Sequence, residues 1–76
     1  MNLDQLKDIV AEVCTGVDVD GITEDSRFED IGIDSLDLAQ VIFAVENALE
    51  ISIDPDILEE VVTVGDALEA IQEAQR

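Results

Sequence analysis

The 76 residues suffice for one small hydrophobic core and are too few for a deep enclosed active site. Apolar residues make up 47% of the chain, too many for a disordered acidic tail, while 20 Asp and Glu face 3 Lys and Arg for a formal charge of −17. That charge excludes nucleic acid and anionic membranes as direct partners and favours proteins with basic patches, met in steered, salt-sensitive encounters. Cys14 stands alone, which leaves no disulfide and no cysteine pair for a metal, so it is expected to pack as a small apolar side chain. Met1 to Leu6 lacks the pattern of a signal peptide and no stretch is long enough to span a bilayer, so a cytoplasmic protein is expected, or an organellar one had a transit peptide been removed.

Asn2 is placed to cap a first helix, with Gln5 completing a capping box. Leu3, Leu6, Ile9, Val10 and Val13 then recur at three- and four-residue spacing, which predicts one buried face and a helix over about Leu3 to Thr15 that Gly16 stops. From Gly16 to Asp34 runs a long connection. Val19, Ile22, Phe28 and Ile31 should pin it across the core, with a short helical turn within Thr23 to Phe28.

The second helix is expected to begin at or just after Asp34, capped by that residue with Asp37 completing a box, and to end near Leu49. At 100° per residue, Leu38, Val41, Ile42, Val45 and Leu49 fall on one core-facing arc, and Leu36, Gln40, Phe43 and Asn47 on the opposite one. An extended link, Glu50 to Asp54, should lead through Pro55 into a short third helix over about Asp54 to Glu60, with Ile57, Leu58 and Val61 closing that side of the core. Thr63 and Asp66 form the clearest capping box in the chain and predict a last helix over Val64 to Ala74 that buries Val64, Leu68 and Ile71. The fold expected is all-α: one domain over residues 1–76, a small four-helix bundle of three longer helices and one short, with a long first loop.

One serine stands out. Gly32-Ile33-Asp34-Ser35-Leu36-Asp37 delivers Ser35 to a helix start between two aspartates. A nucleophilic serine needs a base, an oxyanion site and a cleft, and the chain has no histidine. Ser35 therefore reads as a group acted upon by another enzyme rather than as a catalyst. Exposure at a helix N-terminus, a flexible glycine before it and flanking charge suit a serine that receives a phosphate-linked group. Leu36 and Phe43, apolar on the outward arc of an acidic protein, fit an apolar anchor with a charged rim.

Ile31-Gly32-Ile33-Asp34-Ser35-Leu36-Asp37 closely resembles the L-G-x-D-S-L-D attachment motif of acyl carrier proteins. The resemblance extends through Val41 to Glu46, Ile53 and Val62 to Ala67, and back to the Leu3 to Val13 pattern, and so covers nearly the whole chain. It implies a non-enzymatic carrier of the free-standing type, a monomer with no bound metal. A phosphopantetheinyl transferase would attach 4′-phosphopantetheine to Ser35. Acyl groups would ride as thioesters on that arm, partly sheltered among the last three helices, for delivery to acyl-transfer and synthase enzymes of fatty-acid, specialised lipid or polyketide biosynthesis.

By the same resemblance Asp34, Leu36 and Asp37 belong to the motif read by the transferase. Leu36, Asp37, Gln40, Phe43, Glu46 and Asn47 occupy the docking face that meets basic patches on partner enzymes. Gln40 replaces a glutamate usual in carriers of fatty-acid synthesis, Glu46-Asn47-Ala48-Leu49 replaces an acidic run, and the proline of the usual I-P-D is shifted by one in Ile53-Asp54-Pro55-Asp56. Two other readings compete. Asp18, Asp20, Glu24 and Glu29 take positions one, three, seven and twelve of a calcium loop, though Ile22 and Thr23 stand where a ligand and a glycine belong. An acidic helical adaptor that is never modified would use Leu36 and Phe43 alone.

Overall fold

In the computed structural model, which describes residues 1–75, four α-helices form and no strand does among the described residues. Helix α1 spans Leu3–Val13, α2 Ser35–Leu49, α3 Pro55–Leu58 and α4 Val64–Ala74. This is the small helical bundle expected, and α1, α2 and α4 each begin at a side-chain cap legible in the sequence.

The Asn2–Gln5 box opens α1 in both directions, with the Gln5 amide donating to Asn2 Oδ1 at 2.9 Å and the Asn2 amide to Gln5 Oε1 at 3.0 Å. Leu6 and Val10 are buried, and Leu3, Ile9 and Val13 pack half-buried around them. The helix ends two residues earlier than expected. Cys14 turns extended at φ −111° while its amide still bonds the Val10 carbonyl, and Gly16 then takes the left-handed φ of +86°.

The long connection lies on the core through Ile22 and Phe28, as expected, but the helical turn predicted over Thr23 to Phe28 is absent. Two short 3₁₀ turns flank that stretch instead, at Val19–Gly21 and Phe28–Ile31. The Thr23 amide donates to Ser26 Oγ at 3.0 Å and the Ser26 amide to the Thr23 carbonyl at 3.1 Å, so the stretch closes as one isolated turn that does not propagate. The segment also pairs outward. Phe28 N–H bonds the Val62 carbonyl at 3.1 Å, Val64 N–H the Ser26 carbonyl at 2.9 Å and Gly65 N–H the Glu24 carbonyl at 2.8 Å, with Arg27 and Thr63 as an antiparallel bridge pair. Gly65 is required there, since a Cβ on it would stand 2.9 Å from the Glu24 carbonyl oxygen.

Helix α2 crosses the middle of the core with Val41, Ile42 and Val45 buried, and Leu38 and Leu49 half-buried at the ends of the same arc. The link after it begins with Glu50 in the left-handed region at φ +56° before it becomes extended. Helix α3 is shorter than expected. Asp54 is its cap rather than its first residue, accepting from the Asp56 amide at 2.9 Å, and beyond Leu58 the Glu60 and Val61 amides bond three residues back. In this single turn Ile57 points out and is 36% exposed, so only Leu58 and Val61 of the three residues expected there pack on the core.

The Thr63–Asp66 box closes as expected, with Asp66 N–H donating to Thr63 Oγ1 and both the Thr63 and Val62 amides donating to Asp66 Oδ2 at 3.1 Å. These backbone donors hold the Asp66 carboxyl below the usual carboxylate range. Because the folded-state pKa lies below the unfolded one of about 3.9, the contribution is present at neutral pH and is lost as pH falls through the folded value. Asp66→Ala is expected to cost about 1 kcal/mol at pH 7, with the gap to wild type closing below about pH 3.9. Chemical denaturation across that range measures both.

Candidate functional site

The backbone path into Ser35 is set by the residues just before it. The Phe28–Ile31 turn ends at Gly32, whose φ of +84° and ψ of 18° reverse the chain and let its amide cap the turn. Ile33, to which the sequence pattern assigns no role, is 2% exposed, and its amide bonds the Phe28 carbonyl at 2.9 Å. It sits immediately before the cap of α2, and Leu38 sits at the fourth helical position; this is the pairing of a hydrophobic staple. Both line a cavity of ≈ 210 Å³ with Phe28, Val61 and Val62. The signal is present in the sequence as an isoleucine between a glycine and a capping aspartate.

Asp34 then caps α2 by accepting the Asp37 amide at 2.9 Å. The reciprocal bond expected from the Asp37 carboxylate is not made, so only half of the predicted box forms. Asp37 is half-buried, and Ser35 is exposed as the first residue of α2. The capping bond runs between Asp34 and Asp37, which leaves the serine hydroxyl free of that duty at the positive end of the helix dipole. Beneath this helix start lies Cys14, buried as expected. Burial raises its thiol pKa, and the carboxylates of Asp37 and Asp34 push in the same direction. It is therefore an inert neutral thiol at neutral pH.

Beside Ser35 opens a groove of ≈ 390 Å³ between α2 and α3, lined by Ser35, Leu38 and Ala39 on one side and Leu58, Glu59 and Val61 on the other. Its walls come from segments far apart in sequence. An exposed serine beside a largely apolar groove is a geometry that suits attachment of a flexible phosphate-linked arm.

Comparison with known proteins agrees with this geometry. The family described as "Phosphopantetheine attachment site" matches residues 4–71. An acyl carrier protein of Desulforapulum autotrophicum is 45% identical over 69 residues, 90% of either chain. The chain belongs to the acyl carrier protein family. It is thus a carrier and not an enzyme, and its cofactor is phosphopantetheine, which supplies a thiol for acyl thioesters when attached. Two similar solved structures are of the actinorhodin polyketide synthase carrier of Streptomyces coelicolor. The hexanoyl form superposes with a TM-score of 0.88 at 33% identity and the 5-phenyl-3-oxo-pentyl form with 0.89 at 32%, each over 99% of this chain and 91% of the other.

On the outward arc of α2 the carrier displays Leu36 at 67% exposure and Phe43 at 65%, with Gln40 and Asn47 exposed between and beyond them. Phe43, Glu46 and Asn47 border a shallow depression with Glu50, Ile51 and Ser52. Glu46 differs from these neighbours. It is half-buried, and its Oε2 accepts the Ile53 amide at 2.9 Å, a contact across seven residues that no local pattern announces. The calcium-loop residues do not converge: Asp18 caps its own 3₁₀ turn through the Asp20 amide, and no three acidic, His or Cys side chains among the described residues are grouped to hold an ion. Among the described residues no helix is long and apolar enough to cross a membrane.

Exposure separates Phe43 from Val41, two apolar residues of one helix. Phe43→Ala should leave thermal stability within about 0.5 kcal/mol of wild type while weakening capture by partner enzymes. Val41→Ala, at a site with no exposure, should cost about 1 kcal/mol or more. Melting curves and a binding titration on the same samples distinguish the two effects.

Proposed function

We propose that the carrier takes 4′-phosphopantetheine on Ser35 and, as a single monomeric domain of residues 1–76 in the cytoplasm, delivers acyl thioesters to fatty-acid, specialised lipid or polyketide enzymes. The observation that carries the assignment is Ser35 itself, exposed at the first position of α2 between Asp34 and Asp37 and at the mouth of the groove that joins α2 to α3. Asp34, Leu36 and Asp37 serve as the recognition motif for a phosphopantetheinyl transferase. The arm leaves Ser35 over the groove, where Leu38, Ala39 and Leu58 shelter the proximal part of an acyl chain.

Partner enzymes dock their basic patches on the α2 face. Leu36 and Phe43 are the apolar anchors, Asp37 supplies charge, and Gln40 and Asn47 are neutral where a more acidic carrier would offer carboxylates. This neutrality favours synthases of specialised or polyketide pathways over those of bulk fatty-acid synthesis, a reading supported by the likeness to the actinorhodin carrier.

Incubation with coenzyme A, magnesium and a broad-specificity transferase is expected to add one phosphopantetheine mass to the wild type and none to Ser35→Ala, read by intact mass spectrometry. An unchanged wild-type mass beside a competent control overturns the assignment. The docking reading makes a separate prediction. Gln40→Glu with Asn47→Glu should tighten association with a ketosynthase of fatty-acid synthesis by about three- to thirtyfold at low salt and steepen its salt dependence, since each new rim charge adds up to ~1 kcal/mol. Titration at two ionic strengths measures both.

A further inference from the structure

We propose that Glu46 is a positioning residue, which holds the α3 wall of the groove beside Ser35, and is not one of the acids that meet a partner. Its functional half rests on the reading that an acyl chain lies in that groove.

Glu46 stands in α2 between the exposed residues Phe43 and Asn47, yet it is half-buried and its carboxylate is directed to the link beyond the helix. Oε2 accepts the Ile53 amide at 2.9 Å, and the carbonyl of the same residue accepts the Glu50 amide and, at 3.1 Å, the Ile51 amide. The link between α2 and α3 is thus fastened to one residue at its start and at its end. The α3 wall continues directly from that fastened end. Ile53 is 6% exposed, Asp54 caps α3, and Leu58, Glu59 and Val61 then face Ser35, Leu38 and Ala39 across the groove.

Helix α3 cannot hold that position alone, because it has four residues and buries none of them fully. Leu58 and contacts with α4 hold one side of it, the link sets the other, and at the link's far end the buried Ile53 side chain and the Glu46–Ile53 bond act together. A part-buried amide without an acceptor is disfavoured, so loss of the bond should loosen the backbone at Ile53 and the start of α3 and widen the groove.

Two substitutions separate positioning from docking. Glu46→Asp keeps the charge but is one methylene too short to reach Ile53, whereas Glu46→Gln removes the charge and keeps an acceptor at the same reach. Each variant and the wild type are converted to the holo form and loaded with octanoyl or acetyl thioester. Three quantities are measured: amide exchange of Ile53 by NMR, the rate of thioester cleavage by hydroxylamine, and the rate of arm attachment by the transferase.

In the wild type the octanoyl thioester should be cleaved more slowly than the acetyl one. Glu46→Asp should speed Ile53 exchange roughly ten- to hundredfold, as expected for loss of a charge-assisted hydrogen bond, and raise octanoyl cleavage toward the acetyl rate. Glu46→Gln should stay near wild type in both, and all three proteins should accept the arm at similar rates. Protection kept by Glu46→Asp and lost by Glu46→Gln overturns the proposal, since charge rather than reach would then matter. If wild-type octanoyl and acetyl thioesters react equally, the sheltering reading fails and takes the functional half with it, whatever Ile53 shows. If the wild type shelters octanoate and Glu46→Asp shelters it equally, sheltering stands and only the role of Glu46 falls.

Discussion

The burial of Ile33 is the contact on which the rest of the site depends. It lies one residue before the cap of α2 and lines the small cavity shared with Phe28, Leu38 and Val61, which pins the chain to the core just before the helix that carries the exposed Ser35. Gly32 makes that burial possible by reversing the chain in a conformation that costs a glycine little. A polar residue at position 33 would leave the helix start without an anchor, and the exposed serine would lose its fixed angle to the groove.

The same economy governs the charges. A chain of formal charge −17 buries no polar or charged side chain among its described residues. A few of its acids instead serve as helix caps or loop fasteners: Asp18, Asp34, Asp54 and Asp66 all accept backbone amides within a few residues of themselves. Capping places negative charge at the positive ends of helix dipoles, which offsets part of the self-repulsion while leaving an acidic exterior. Its few cations contribute little, since Arg27 meets Glu29 only at 4.0 Å on an exposed surface.

How much of the structure is legible in the sequence depends on the range of each interaction. Caps at Asn2, Asp34 and Thr63 act over two or three residues, and the buried arcs of α1, α2 and α4 repeat within one helix, so all of these can be read locally. The stretch from Thr23 to Ser26 is misleading because its pairing partner, the start of α4, lies some forty residues away. The length of α3 and the outward turn of Ile57 escape for a related reason: propensity alone does not report where a short helix stops packing. Glu46 is assigned to the docking face by resemblance, and neither its half-burial nor its bond to Ile53, seven residues on, can be read from local spacing.

The sequence by itself determined the four helices, the acidic surface and the framed serine, because capping, periodicity and charge are properties of neighbouring residues. The tertiary structure decided what surrounds that serine. The groove at Ser35 has one wall on α2 and the other on α3 and the residues just beyond it, held in place by a contact that spans a link rather than a helical turn. Such a cavity exists only once separate segments are brought face to face.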